Sequence, residues 1–335
     1  MWMKMNDRIP ESPPVITPVP TGTIRPLWSV MIPAYNCMEF LKQAIASVLE
    51  QAPAEDIMQI EVVDDASTDG NIKELVETIG KGRVSYFRQP ENVGSLRNFE
   101  TCLNRSRGHL IHLLHGDDLV SPGFYQEMGS VMEKFPEAGS AFCSYSFINK
   151  DSQVTSLASP IMDKAGIIED WLEKVAVINY PQPPSVVVRR SVYEHLGGFF
   201  AAHYGEDWEM WCRIAANYPV AYTPKCLAKY RIHFNNISTK ALLSGQSVAD
   251  INKLIGIIQQ YLPLNKRKKI RNKSKHNFST HFASIALRNF YGDKDKYLKL
   301  AYKSFLMDRN RTTFYFLTKI VLSYFVQVNT THNKS

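Results

Sequence analysis

Apolar and polar positions follow two alternating periods over the first half of the chain. "WSVMIP" is an unbroken apolar run of strand length, and the next segment sets Leu41, Ile45, Val48 and Leu49 on one helical face, with Asn36 as the N-cap. "IEVVDD" predicts a second strand, followed by a helix striped by Ile72, Leu75, Val76 and Ile79. "VSYFRQ" and "HLIHLL" predict a third and fourth strand around a helix carrying Leu96, Phe99 and Leu103. A helix with Phe124, Met128, Val131 and Phe135 then leads into "AFCSYSFI", a fifth strand. Strands alternating with amphipathic helices predict an α/β fold with a mostly parallel sheet and helices on both faces.

Beyond Ile148 the alternation fades. A strand and short helix end at Gly197 and Gly198, and a helix follows with Trp208, Trp211, Cys212 and Ala215 turned inward. Two short strands, "VAYTP" and "LAKYRIH", close this half, and from about Ser244 the chain is helical and basic. The expected organisation is an extended proline-rich segment at 1–26, an α/β domain at 27–240 with halves 27–147 and 148–240, and a helical basic region at 241–335.

Ligands of such sheets bind beyond the carboxyl ends of the strands. Three polar loops sit there: "PAYN", "DDASTDG" and "GDD". Asp117 and Asp118 allow two readings, a turn after Gly116 or a pair of hard oxygen ligands for a divalent cation. No G-x-G-x-x-G follows the first strand and no G-x-x-x-x-G-K-[ST] occurs, so the usual backbone cradles for a pyrophosphate are missing. That disfavours a nicotinamide dehydrogenase. A nucleotidylyltransferase is disfavoured as well, since "PAYNCMEF" after the first strand has neither the Gly nor the Arg of its first loop.

The net charge of +7 favours anionic partners. Five scattered cysteines without Cys-x-x-Cys predict a reduced, cytosolic protein with neither disulfides nor structural zinc. The first 26 residues lack the apolar core of a signal peptide. "TFYFLTKIVLSYFVQV" is interrupted by Lys319 and is too short to span a bilayer. The basic run Lys266 to Lys275 is a solvated face in the plain reading. Together with the apolar helix Phe314 to Val328 it is also a device for peripheral contact with an anionic membrane. Nucleic acid is not expected, since no aromatics interleave the run.

"SVMIPAYN", "IEVVDDASTDG", "ENVGSLRN", "HGDDLV", "GEDWEMWCRI" and "YRIHFNNIS", in this order, resemble the family 2 glycosyltransferases with the GT-A fold. The resemblance spans roughly Trp28 to Ser238. It implies transfer of a sugar from a nucleoside-diphosphate donor, with UDP- or dTDP-sugars foremost, to a saccharide or lipid-linked acceptor hydroxyl with inversion, assisted by Mn²⁺ or Mg²⁺. It places Pro33, Tyr35 and Asn36 at the donor base, with the Tyr35 ring suited to stacking on a pyrimidine. It gives Asp65 the base N–H, Asp64 a supporting role or the ribose, and Gly94, Arg97 and Asn98 the opening of a donor-binding helix. Asp69 is expected only to close an Asx turn. Asp118 matches the metal-contacting acid, in Gly-Asp-Asp where many members have Asp-x-Asp, and Asp117 faces the ribose or donor sugar. Asp207 is the implied general base, with Glu206 as runner-up or acceptor-orienting group; capping of the helix they open is the plain alternative. His233 is implied as a further metal ligand or diphosphate contact, and Arg231 as a phosphate contact. A sugar-nucleotide-binding scaffold without catalysis is the rival from another class.

Overall fold

The computed structural model describes residues 8–233, 236–290 and 292–332. The apolar runs fold as β1 (Trp28–Ala34), β2 (Met58–Asp64), β3 (Ser85–Arg88) and β4 (Leu110–Leu113), alternating with α1 (Met38–Leu49), α2 (Ile72–Gly80) and α3 (Ser95–Arg105). β1 and β4 are buried throughout and β2 nearly so, which is why they appear as unbroken apolar runs. β3 is the edge strand and mixes exposed and half-buried positions.

There follow β5 (Leu119–Val120), α4 (Phe124–Lys134), β6 (Ser140–Ile148), β7 (Val154–Leu157), β8 (Gly166–Ile167), α5 (Trp171–Val175), β9 (Val186–Arg189), α6 (Arg190–Leu196), α7 (Glu206–Asn217) and β10 (Val220–Arg231). The main strand order is β3-β2-β1-β4-β9-β6-β10-β5. β1 pairs in parallel with β2 and β4, β2 with β3, and β6 with β10. The antiparallel pairings through β5, β7, β8 and β9 are short. The sheet is therefore the expected α/β, mostly parallel one. Val30, Ile32 and Val62 share a core cluster with Leu41, Ile45 and Val76 from α1 and α2. Met31 and Val63 point the other way by strand alternation. They are buried outside that cluster, as are Leu96, Phe99 and Leu103 of α3, so helices cover both faces.

Four local expectations are corrected. The residue before α1 is Cys37, not Asn36, and the helix's Met38 N–H donates to the Asp69 carboxylate at 2.8 Å. Asp69 thus caps another element instead of closing its own turn. "VAYTP" and "LAKYRIH" form one strand, β10, whose register slips between Thr223 and Ala228. Pro224 sits in that slip and has no N–H for the ladder. Helix begins at Ile237, ahead of Ser244: α8 (Ile237–Ser244), α9 (Gln246–Ile258), α10 (Leu264–Asn289), α11 (Lys294–Met307) and α12 (Arg311–His332).

The chain forms two compact units. The first takes Met1–Trp171, Tyr180–Ala201 and Arg213–His233; the second takes Leu172–Asn179, Ala202–Cys212 and Phe234–Ser335. The second unit therefore draws on chain well before residue 240. In the first, residues 8–26 contain neither strand nor α-helix but are fastened down. Ala201 N–H donates to Pro10 O, Gly198 N–H to Pro14 O and Thr17 N–H to Asn104 Oδ1, while Ile16 is buried. Residues 1–7 of the expected lead-in, and 234 and 235 of "YRIHFNNIS", lie outside the described residues.

Candidate functional site

In the first unit, parallel β1, β2 and β4 bring their carboxyl ends to one edge, and the three polar loops bond to one another there. Asn36 has φ +48°, a conformation asparagine tolerates. Its Oδ1 accepts from Thr68 N–H at 2.7 Å and its own N–H donates to Ser67 Oγ at 3.0 Å. Gly116 N–H donates to Pro33 O at 3.1 Å, and a Cβ at Gly116 would stand 2.8 Å from Cys37 Sγ. Pro33 is buried in β1 while the Tyr35 ring is half exposed.

The two acids at the end of β2 are buried and occupied. Asp64 accepts from Ser67 N–H at 2.9 Å, from Tyr86 O–H at 2.7 Å and from Arg88. Asp65 accepts from Val93 N–H (2.7 Å), Gly94 N–H (2.9 Å) and Asn92 Nδ2 (2.8 Å). Burial pushes the Asp65 carboxyl up to about 6, against the pull of the Val93 and Gly94 N–H groups and of Arg8. Gly94, at φ +89°, lies against Arg8. Asn98 is buried and donates to Val63 O at 2.8 Å, which fixes α3 to β2. Arg97 pairs with Glu100 and lines a cavity of about 370 Å³ between β3 and α3, with Phe87, Gln89 and Thr101.

Beyond β4, His115, Asp117 and Asp118 bring one donor atom each within 4.8 Å of the others. The His115 ring stacks on Phe99, centroids 5.1 Å apart. Burial lowers its pKa, opposed by Asp117, so the imidazole is neutral, as a ligand must be. Asp117 Oδ2 faces His233 Nε2 at 3.0 Å. Burial acts to raise the Asp117 pKa, but His233 and His115 outweigh it and hold the carboxyl below its ordinary value. Asp118 is raised well above its own, by burial and then by Asp117. Its Oδ1 accepts from Arg231 N–H at 2.8 Å; its Oδ2 is buried without a hydrogen-bond partner. An orphaned buried carboxylate oxygen beside a neutral imidazole and a second carboxylate fits a divalent cation.

Arg231 has another occupation than the expected phosphate contact. Its guanidinium is buried and donates to Asp117 O, Asn149 O, Lys150 O, Ser152 Oγ and Gln43 Oε1, over the Phe40 ring. It holds the Asp117–Asp118 backbone in place. Sequence reasoning passed over His115, although the spacing His-x-Asp-Asp is visible in "HGDD".

The second unit carries the other acidic pair. Glu206 and Asp207 occupy the first turn of α7, where carboxylates complement the helix dipole. Gly205 precedes them at φ +86°, and a Cβ there would stand 2.9 Å from Ile251 Cδ1. Asp207 accepts from Asn179 Nδ2 on both oxygens, at 3.2 and 3.1 Å. Trp208 is fully buried, donates Nε1–H to Val175 O at 2.6 Å and lies 4.6 Å from the Phe278 ring, which anchors the turn. Burial raises both carboxyls, and Asp207 adds to the rise of Glu206, while the Asn179 amide pulls Asp207 back. Asn179 carried no sequence motif, and only the fold shows its contact.

The family model "Glycosyl transferase family 2" matches residues 29–197. A glycosyltransferase of Haemophilus influenzae is 27% identical over 225 residues, 64% of this chain and 68% of that protein. Staphylococcus aureus TarS 1–349, solved with UDP-GlcNAc, superposes with a TM-score of 0.62 at 14% identity, covering 84% of this chain and 81% of that one. The mannosyltransferase PcManGT of Pyrobaculum calidifontis, solved with GDP-Man and Mn²⁺, has a TM-score of 0.57 at 14% identity, covering 98% and 91%. With half of its length matched by the family model and the GT-A fold shared with these neighbours, the chain belongs to glycosyl transferase family 2.

Proposed function

We propose that the protein transfers a sugar from a nucleoside-diphosphate donor, foremost a UDP- or dTDP-sugar, to a hydroxyl of a glycan or lipid-linked saccharide, with inversion. The observation that carries this is the His115, Asp117 and Asp118 set with its orphaned Asp118 oxygen, at the carboxyl edge of a family 2 sheet.

Tyr35 offers a ring face to the base. A carboxylate has about four acceptor positions; three of those on Asp65 are taken, which leaves one for a base N–H. His115, Asp117 and Asp118 would hold Mn²⁺ or Mg²⁺, which would supply positive charge to neutralise the diphosphate as it leaves. His233 orients Asp117, as a hydrogen-bonded neighbour of a ligand does. Asp207 takes the acceptor hydroxyl's proton while the new C–O bond forms at the anomeric carbon and the bond to the diphosphate breaks. The five thiols, none of them in a disulfide, suit a reducing cytoplasm.

The test is a thermal-unfolding series with UDP, dTDP, GDP and CDP, each with and without Mn²⁺. GDP belongs in it because one neighbour was solved with GDP-Man. A ligand at a hundred times its Kd stabilises the native state by about 2.7 kcal/mol. The expected result is a shift with one nucleotide that needs Mn²⁺ and is lost in Asp118→Ala. No shift with any nucleotide, with or without metal, overturns the donor reading.

A further inference from the structure

The charge of the chain is divided unevenly. Residues 234–335 hold eighteen Lys and Arg against four Asp and Glu, a net +14, whereas residues 1–233 hold twenty-one against twenty-eight, a net −7. Neither α10 nor α12 contains an acidic residue. The exposed positions of α10 include Lys268, Lys269, Arg271 and Lys273.

The outer face of α12 is not simply polar. Arg311, Phe314, Tyr315, Lys319 and Leu322 are exposed and fall in one stripe at helical spacing. Phe314, Tyr315 and Leu322 are 59%, 52% and 61% exposed. Lys319 Nζ stands 4.9 Å over the Tyr315 ring, so cation and aromatic share the surface. On α11, Tyr302 and Leu306 are 52% and 46% exposed, one helical turn apart, with Lys299 preceding them. Phe305 and Phe314 lie 6.1 Å apart and join the end of that stripe to the start of the one on α12.

Large exposed side chains gathered in this way mark a surface that meets something other than water. A second copy is disfavoured, because it would set one strongly basic surface against another. Among the described residues no helix is long and apolar enough to cross a membrane. Cations interleaved with aromatic and aliphatic side chains suit the boundary between lipid headgroups and acyl chains.

We propose that the α11–α12 face is a docking surface for an anionic lipid bilayer. Phe314, Tyr315 and Leu322 enter the headgroup boundary, and Arg311 and Lys319 answer the phosphates. The surface goes beyond the sugar-transfer reading and does not rest on it, since vesicle binding is measured with no donor, metal or acceptor present.

The test is flotation of the full chain with vesicles of phosphatidylcholine alone, or mixed two to one with phosphatidylglycerol. The expected result is flotation with the mixed vesicles only, released by high salt. Phe314→Ser with Leu322→Ser, and separately Arg311→Glu with Lys319→Glu, each lower the bound fraction about tenfold or more. These positions are exposed, so both variants keep the parent's unfolding transition. The proposal is overturned by failure to float with either vesicle. Flotation undiminished in both variants overturns it too, as does a concentration-dependent dimer that Phe314→Ser with Leu322→Ser dissociates, which gives the face to a second copy.

Discussion

Asp117–Asp118 in the first unit and Glu206–Asp207 in the second are both adjacent acids at the exit of a loop, yet their surroundings differ. The first pair lies among nitrogen groups: His115 and His233 flank Asp117, and the Arg231 N–H holds Asp118, one of whose oxygens stays unpaired. The second pair has an amide for its main partner, and burial raises both of its carboxyls. Environment, not residue type, separates the two pairs: in the proposed reading one setting offers lone pairs to a cation and the other tunes a proton acceptor.

The largest expected effect that would break this comparison is at Asp207. Asp207→Asn keeps the shape and removes the base, so kcat should fall about 10²- to 10⁴-fold, with the nucleotide and Mn²⁺ thermal shift unchanged. Turnover near the parent's in that variant would remove Asp207 from its role. The next effect sharpens the comparison. The Asn179 amide lowers the Asp207 pKa against burial, so Asn179→Ala should raise it further. A base acts when ionised, so the activity limb that climbs with pH should move to higher pH. Losing a hydrogen bond to a charged group costs about 1.5–3 kcal/mol, so near the limb kcat should drop about tenfold and recover as pH rises. A drop of equal size at every pH would make Asn179 a structural residue only.

How legible these sites were follows from how local each signal is. β1, β2 and β4 are buried on both faces, so composition alone marks them, and the polar loops at their ends follow from the parallel order. Asp69 capping α1, Arg231 reaching Gln43 and Asn179 reaching Asp207 are contacts across loops or across most of the chain, and no periodicity encodes them. Arg231 is the instructive case. Its charge suggests phosphate, but the strand that carries it points the guanidinium into a nest of carbonyl oxygens. His115 was legible by the spacing His-x-Asp-Asp, although a lone histidine after a strand is an ordinary buried residue far more often than a ligand.

The smallest predicted effect lies at His115 and concerns which cation is preferred, not whether one binds. Mg²⁺ takes oxygen ligands in a strict octahedron, whereas an imidazole nitrogen suits first-row transition ions. His115 is stacked on Phe99 with its ring held neutral, so it is preset to donate a nitrogen lone pair. The parent should therefore bind Mn²⁺ more tightly than Mg²⁺, as read by the loss of free Mn²⁺ signal in electron paramagnetic resonance and its recovery under added Mg²⁺. His115→Asp replaces nitrogen with oxygen and should narrow that preference roughly threefold or more. A preference unchanged in His115→Asp, with Mn²⁺ still lost in Asp118→Ala, would leave the cation to the carboxylates alone and make the two acidic pairs differ only by what flanks them.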